Sequence, residues 1–180
     1  MTYTSVAQIM EEIDKTRERL YRHVEGLTDE QATARPDPRA WTPAEIVEHL
    51  ALIEDRLLRM MNVMLTKAES ARTPGAGAAQ PIEIKPFTLD EFIERGRNEK
   101  FDAPEAVRPA GVASLADSLA RLRRSRAELK ALRPRIEAID LSVVTYPHPA
   151  FGPLNFYQWL AFIGLHEERH LQQAASAVEL

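Results

Sequence analysis

Five histidines occur in 180 residues, and two of them, His166 and His170, stand four apart in the string LHEERHL near the end of the chain. On a helix, side chains four apart are neighbours, with Cβ atoms roughly 5 to 6 Å from each other. Both imidazoles can then turn a nitrogen toward one ion at about 2.0 to 2.1 Å. A third histidine, His49, follows Ile46 by three and precedes Ile53 by four, at the edge of another apolar stripe. Three buried, unpartnered imidazoles would forfeit hydrogen bonds or force charge into an apolar core, whereas one shared divalent ion satisfies all three nitrogens. Such a set leaves coordination positions open to water or substrate, which is the pattern of a catalytic metal. The competing reading, three hydrogen-bonded core histidines, is equally compatible with spacing alone. Cysteine is absent, which excludes disulfides and thiolate ligands and places the expected compartment in the cytoplasm.

The other candidate groups carry weaker signals. His23 lies at the edge of the first apolar stripe and reads as a boundary residue, and His148, between Pro147 and Pro149, reads as a structural turn histidine. Glu45, Glu167 and Glu168 stand near the ligand candidates and could orient an imidazole from behind, although carboxylates on helices are usually solvated. No residue is assigned a proton-transfer role. Met60, Met61 and Met64 read as core filler. HEERH also satisfies the HExxH string of zinc peptidases, with Glu167 directly after the first histidine. Its third ligand would have to come from His49, far upstream, and no suitable residue follows in the ten that remain. GxSxG, P-loop and GxGxxG strings are absent.

Four helices must position these side chains. The first stripe is Val6, Ile9, Ile13, Leu20, Val24 and Leu27; the second is Ile46, Leu50, Ile53, Leu57, Met60 and Met64. The third runs Leu115, Leu119, Leu122, Leu129, Leu132 and Ile136, with Pro134 expected to loosen its end. The fourth runs Phe156, Trp159, Ile163, His166, His170, Ala174 and Ala177. Thr42 with Pro43 and Glu45 marks the start of the second, while Ser114 with Asp117 and Asn155 with Gln158 mark the third and fourth. Residues 67–113 form a long connection that opens on TPGAGAAQP and holds one short helix near TLDEFIERG. Its Phe87, Phe92 and Phe101 are expected to be exposed, covering a pocket or a partner. YPHPAFGP is a shaped turn before the last helix, and no strand alternation is visible. The reading is an all-α four-helix bundle forming one domain over residues 1–180, with the long connection between helices 2 and 3.

Hydrophobic residues make up 44% of the chain, enough for a core, and 23 basic and 27 acidic side chains are interspersed to a net charge of -4. Nucleic acid is therefore not an expected partner. No apolar run approaches the roughly 18 residues of a spanning helix, and the amphipathic first twenty residues do not read as a leader, so no membrane partner is expected either.

The segments WTPAEIVEHLALIEDR, FDAPEAVRPAG and HPAFGPLNFYQWLAFIGLHEERHLQQ together resemble the DinB/YfiT-like family of metal-dependent four-helix-bundle proteins, over nearly the whole chain. The resemblance implies a bundle of unusual connection order whose three histidine ligands fall on His49, His166 and His170. It implies zinc or nickel first, with iron also compatible, since imidazoles accept all three. Relatives of this kind include transferases that use low-molecular-weight thiols, which makes the expected function activation of a small thiol or water against a small electrophile, as a thiol transferase or hydrolase. The alternative is a non-catalytic stress-response protein that binds metal or ligand. A homodimer is the expected assembly.

Overall fold

The computed structural model describes residues 1–35, 37–71, 82–98 and 102–178. Each long helix begins where the sequence supplies a hydrogen-bond acceptor for its orphan first-turn amides. Helix α1 (Val6–Val24) is capped by Ser5, and the short α2 (Asp29–Thr33) by a Thr28–Gln31 capping box. Helix α3 (Pro43–Ser70) starts on the Thr42–Glu45 box with Pro43 in its first turn. Helix α4 (Asp90–Asn98) is the short helix of the long connection. Ser114 caps α5 (Leu115–Ala131), which breaks at the single residue Leu132 before α6 (Arg133–Ile136), where Pro134 sits. At α7 (Phe156–Val178), Asn155 and Gln158 exchange reciprocal 2.9 Å backbone-to-side-chain bonds.

The bundle helices are α1, α3, α5 and α7, with α1 packed on α7, and α3 on both α5 and α7. Gly164 makes the first of these contacts close, because a Cβ there would lie 3.0 Å from Ile13 Cγ2 and 3.4 Å from Ile13 Cα. The turn before α7 differs from the expectation of no strand: Thr145–His148 (β1) and Gly152–Asn155 (β2) pair antiparallel, with Tyr146 opposite Leu154. The prolines at 147 and 153 face each other in the ladder, which masks the alternation that would announce a hairpin. Tyr3 and Phe87 exchange two backbone bonds as an isolated bridge. Phe87 and Phe92 are partly buried against the core and not freely exposed, whereas Phe101 and the TPGAGAAQP stretch lie outside the described residues.

The core divides into two apolar halves. One gathers Ile9, Ile13, Met61, Leu65, Leu129, Phe156 and Leu160; the other gathers Leu20, Val24, Ile46, Leu50, Leu122 and Ala174. A layer of charge lies between them, one residue from each bundle helix: Arg17, Glu54, Arg126 and Glu167, all at most 5% exposed. Arg17 donates to both Glu54 and Glu167, and Arg126 donates to Glu54 at 3.1 Å and to Glu167 at 3.2 Å. The remaining guanidinium donors reach Leu122 O at 3.0 Å and Ile13 O at 2.8 Å. Burial pushes the Glu167 carboxyl up against the pull of both arginines, while for Arg17 the two carboxylates outweigh burial and hold the guanidinium above its ordinary value. Two cations and two anions cancel, so the layer is neutral and its donors are satisfied, which is the condition for tolerating buried charge.

The buried face of α3 is displaced from the stripe read in the sequence. Ala51, Glu54, Leu58, Met61 and Leu65 are buried, while Ile53, Leu57 and Met60 are only partly so. Met61 and Met64 fill core positions. The displacement follows from Glu54, which apolar periodicity skips and the charged layer draws inward.

Candidate metal centre

His49 sits two turns into α3, and His166 and His170 one turn apart on the facing side of α7. Their ring centroids are 5.4 Å (His49–His166), 4.8 Å (His49–His170) and 4.5 Å (His166–His170) apart. One nitrogen from each lies within 4.8 Å of the other two. His49 and His170 are buried, and His166 keeps partial exposure.

The ring orientations fix which nitrogens converge. His49 Nδ1 lies 2.6 Å from Val107 O in the 3-10 turn Glu105–Val107. A carbonyl only accepts, so Nδ1 carries the proton and Nε2 presents its lone pair. His170 Nδ1 is 3.0 Å from Gln173 Oε1, and donation there leaves Nε2 as its lone-pair atom. His170 Nε2 faces His166 Nε2 at 3.2 Å. Two nitrogens bound tetrahedrally at about 2.05 Å to one zinc-like ion stand about 3.3 Å apart, so this separation fits a shared cation.

Electrostatics keep the set neutral. Burial lowers the His49 pKa, partly offset by the Val107 bond. Burial, with the neighbouring charge of His49, takes His170 down to about 3; for His166, burial and then His170 and His49 push it well below its ordinary value. Neutral imidazole is the ligating form.

Two surrounding features hold the set, and neither was singled out in the sequence. Trp41, just before α3, covers it, its ring 4.7 Å from His49 and 6.1 Å from His170. Glu48, buried beside His49, accepts from Ala110 N at 3.2 Å and Gly111 N at 2.9 Å, which pins the loop carrying Val107. Gly111 has φ +67°, a conformation that favours glycine. Glu48 was recoverable in principle, as the residue adjacent to the candidate ligand His49 on the inward side of the helix.

None of the three carboxylates weighed as imidazole partners reaches one. Glu45 caps α3 and pairs with Arg35, Glu168 pairs with Arg19, and Glu167 is held in the charged layer. Residues 166 and 167 are about 100° apart around the helix, so the residue after a ligand turns from the site. This removes the base that a peptidase reading of HEERH requires. His148 caps its turn, its Nδ1 accepting from Ala150 N at 3.1 Å and Phe151 N at 3.3 Å. His23 is half-buried, with Nε2 sealed and without a hydrogen-bond partner among the described residues.

The family model for the DinB superfamily matches residues 12–174. The chain belongs to the DinB superfamily. The uncharacterized protein YuaE of Bacillus subtilis (strain 168) is 29% identical over 161 residues, covering 89% of this chain and 91% of YuaE. Two solved structures share the bundle. TT2238, a four-helix bundle protein, has a TM-score of 0.60 at 22% identity, over 95% of this chain and 98% of its own. YfiT from Bacillus subtilis, described as a probable metal-dependent hydrolase with an unusual four-helix bundle topology, has a TM-score of 0.62 at 16% identity, over 96% of this DinB chain and 85% of its own. Among the described residues, no helix is long and apolar enough to cross a membrane.

Proposed function

We propose that this DinB protein is a metal-dependent enzyme whose His49, His166 and His170 hold one divalent ion, zinc or nickel first and iron also accommodated. It would act on small electrophilic molecules as a thiol transferase or hydrolase. The observation that carries the reading is the convergence of three neutral imidazoles within 4.8 Å, with the His49 and His170 tautomers set so that Nε2 is free to ligate. The description of YfiT as a probable metal-dependent hydrolase supports the same class. An ion bound here supplies Lewis acidity, lowering the pKa of a small thiol or water toward neutrality. The chain's own groups do the rest. Val107 O and Gln173 orient two rings, Glu48 holds the Val107 loop, and Trp41 shields one side from water.

A second reading, non-catalytic binding of metal or ligand, is favoured by one observation: Glu45, Glu167 and Glu168 are all engaged away from the rings, leaving none as an acid or base beside them. Metal analysis of untagged protein, with thiol-conjugation and hydrolysis assays of wild type and His170→Ala, tests the proposal. One equivalent of ion and a metal-dependent rate lost in His170→Ala are expected. No bound ion, with a rate unchanged by the substitution, would overturn it; a stoichiometric ion without any turnover would select the second reading.

A further inference from the structure

His148 does more in this structure than the cap of a turn requires. Because Nδ1 accepts two backbone amides, the ring's proton sits on Nε2, at the far side of the imidazole from the turn. Nε2 has no hydrogen-bond partner among the described residues, and unlike His23 Nε2 it is not sealed from solvent. Three aromatic rings hold it rigidly: Phe151 at 4.7 Å, Trp159 at 5.0 Å and Phe162 at 4.8 Å. The Trp159 indole is itself fixed by a 3.0 Å bond to Tyr146 O on β1. A rigidly held donor that the protein leaves open to solvent is positioned to meet a ligand.

Its position says which ligand. Trp159, Phe162, His166 and His170 follow one another by three, four and four, so they share a face of α7. Phe162 stacks on His166 at 6.2 Å and meets His148 edge-to-face at 4.8 Å, which places it between them. His148 packs over the span from 159 to 162, about 8 Å along the axis from His166 at 1.5 Å per residue. Cationic charge flanks this path. Arg95 lies 5.2 Å over the Phe151 ring that stacks on His148, and the charge of Arg169 is felt at both His166 and His170.

We infer that His148 is a second ligand-binding group, whose Nε2–H donates to a carboxylate oxygen of a small molecule that places its other end, about 8 Å away, at the three histidines. This rests on the metal-site reading proposed above. Burial lowers the His148 pKa to about 4, so the ring stays a neutral donor at physiological pH.

The test uses the cobalt-loaded protein and the thiolate-to-cobalt absorption of three simple thiols. Ethanethiol probes the metal alone. Of the roughly 8 Å, the metal–sulfur bond takes about 2.3 Å and the hydrogen bond about 2.9 Å, so 4-mercaptobutyrate reaches His148 with its chain bent, and 1-butanethiol has the same chain without the carboxylate. The variant is His148→Asn, whose side-chain oxygen can still accept from the turn amides while offering no Nε2–H. In the wild type, 4-mercaptobutyrate is expected to bind about tenfold tighter than 1-butanethiol, the worth of one hydrogen bond to a charged group. His148→Asn removes that preference and leaves ethanethiol binding and the circular dichroism spectrum unchanged. If ethanethiol gives no absorption change in the wild type, the metal reading fails and this inference with it. If ethanethiol binds but 4-mercaptobutyrate shows no advantage over 1-butanethiol, or keeps it in His148→Asn, the inference alone is overturned.

Discussion

Replacing Glu167 with glutamine separates two roles that HEERH allows, a general base beside a metal or one corner of a buried ion layer. Glu167 accepts from Arg17 Nε and from Arg126 Nη2. Glutamine keeps the volume and one acceptor oxygen, but it turns an amide donor toward a guanidinium and leaves the layer one positive charge in excess. Unbalancing a buried ion group costs about 3 to 5 kcal/mol, and losing one charge-assisted bond accounts for about 1.5 to 3 of that. Taking about 4 kcal/mol, with an unfolding entropy near 0.4 kcal/mol per kelvin for a chain of this length, Tm should fall by about 10 °C. Thermal unfolding followed by circular dichroism measures this. A second substitution, Arg126→Met in the Glu167→Gln background, restores neutrality and should recover at least about 1 kcal/mol, a coupling expected only for residues in one network. Metal stoichiometry of the folded variant should remain that of the wild type, because Glu167 touches no ligand. A Tm within 3 °C of wild type, about 1 kcal/mol on the same scale, would refute the structural role.

Four further outcomes are expected. Glu48→Ala should weaken metal binding by about 10- to 100-fold in a chelator competition, through release of the loop that carries Val107 O, with Glu48→Gln falling between it and the wild type. Gly164→Ala should destabilise by about 1 to 2 kcal/mol in urea titration despite the gain in helix propensity, because the new methyl would lie 3.0 Å from Cγ2 of Ile13, a β-branched side chain buried in the core with little room to turn. His148 titrates near 6.5 when unfolded and at about 4 when folded; the unfolded chain binds more protons between those values, so wild-type stability should fall relative to His148→Asn as pH drops from 6.5 to 4, with no pH-dependent difference above 7. Copper or nickel added to the metal-free protein should quench the fluorescence of Trp41, which lies against His49, and Trp41→Phe should remove most of that quenching.

The sequence by itself determined the helices, because caps and periodicity are local: Thr42 with Glu45, Ser114 with Asp117 and Asn155 with Gln158 each act within one turn. It also determined that His166 and His170 share a face, since that follows from 3.6 residues per turn. The charged layer left a trace that apolar periodicity could not interpret. The first and third stripes each jump seven residues, from Ile13 to Leu20 and from Leu122 to Leu129, and the inward positions they skip are Arg17 and Arg126. A lone charge at such a position reads as solvated, and only the packing of four helices showed that two cations meet two anions there. Tertiary structure likewise decided the chemistry of each imidazole. The carbonyl that sets the His49 tautomer comes from 58 residues away, and the tryptophan that covers it lies in a connection with no helical period. Those contacts form where loops of distant sequence close over the bundle, and neither spacing nor propensity encodes which loop arrives.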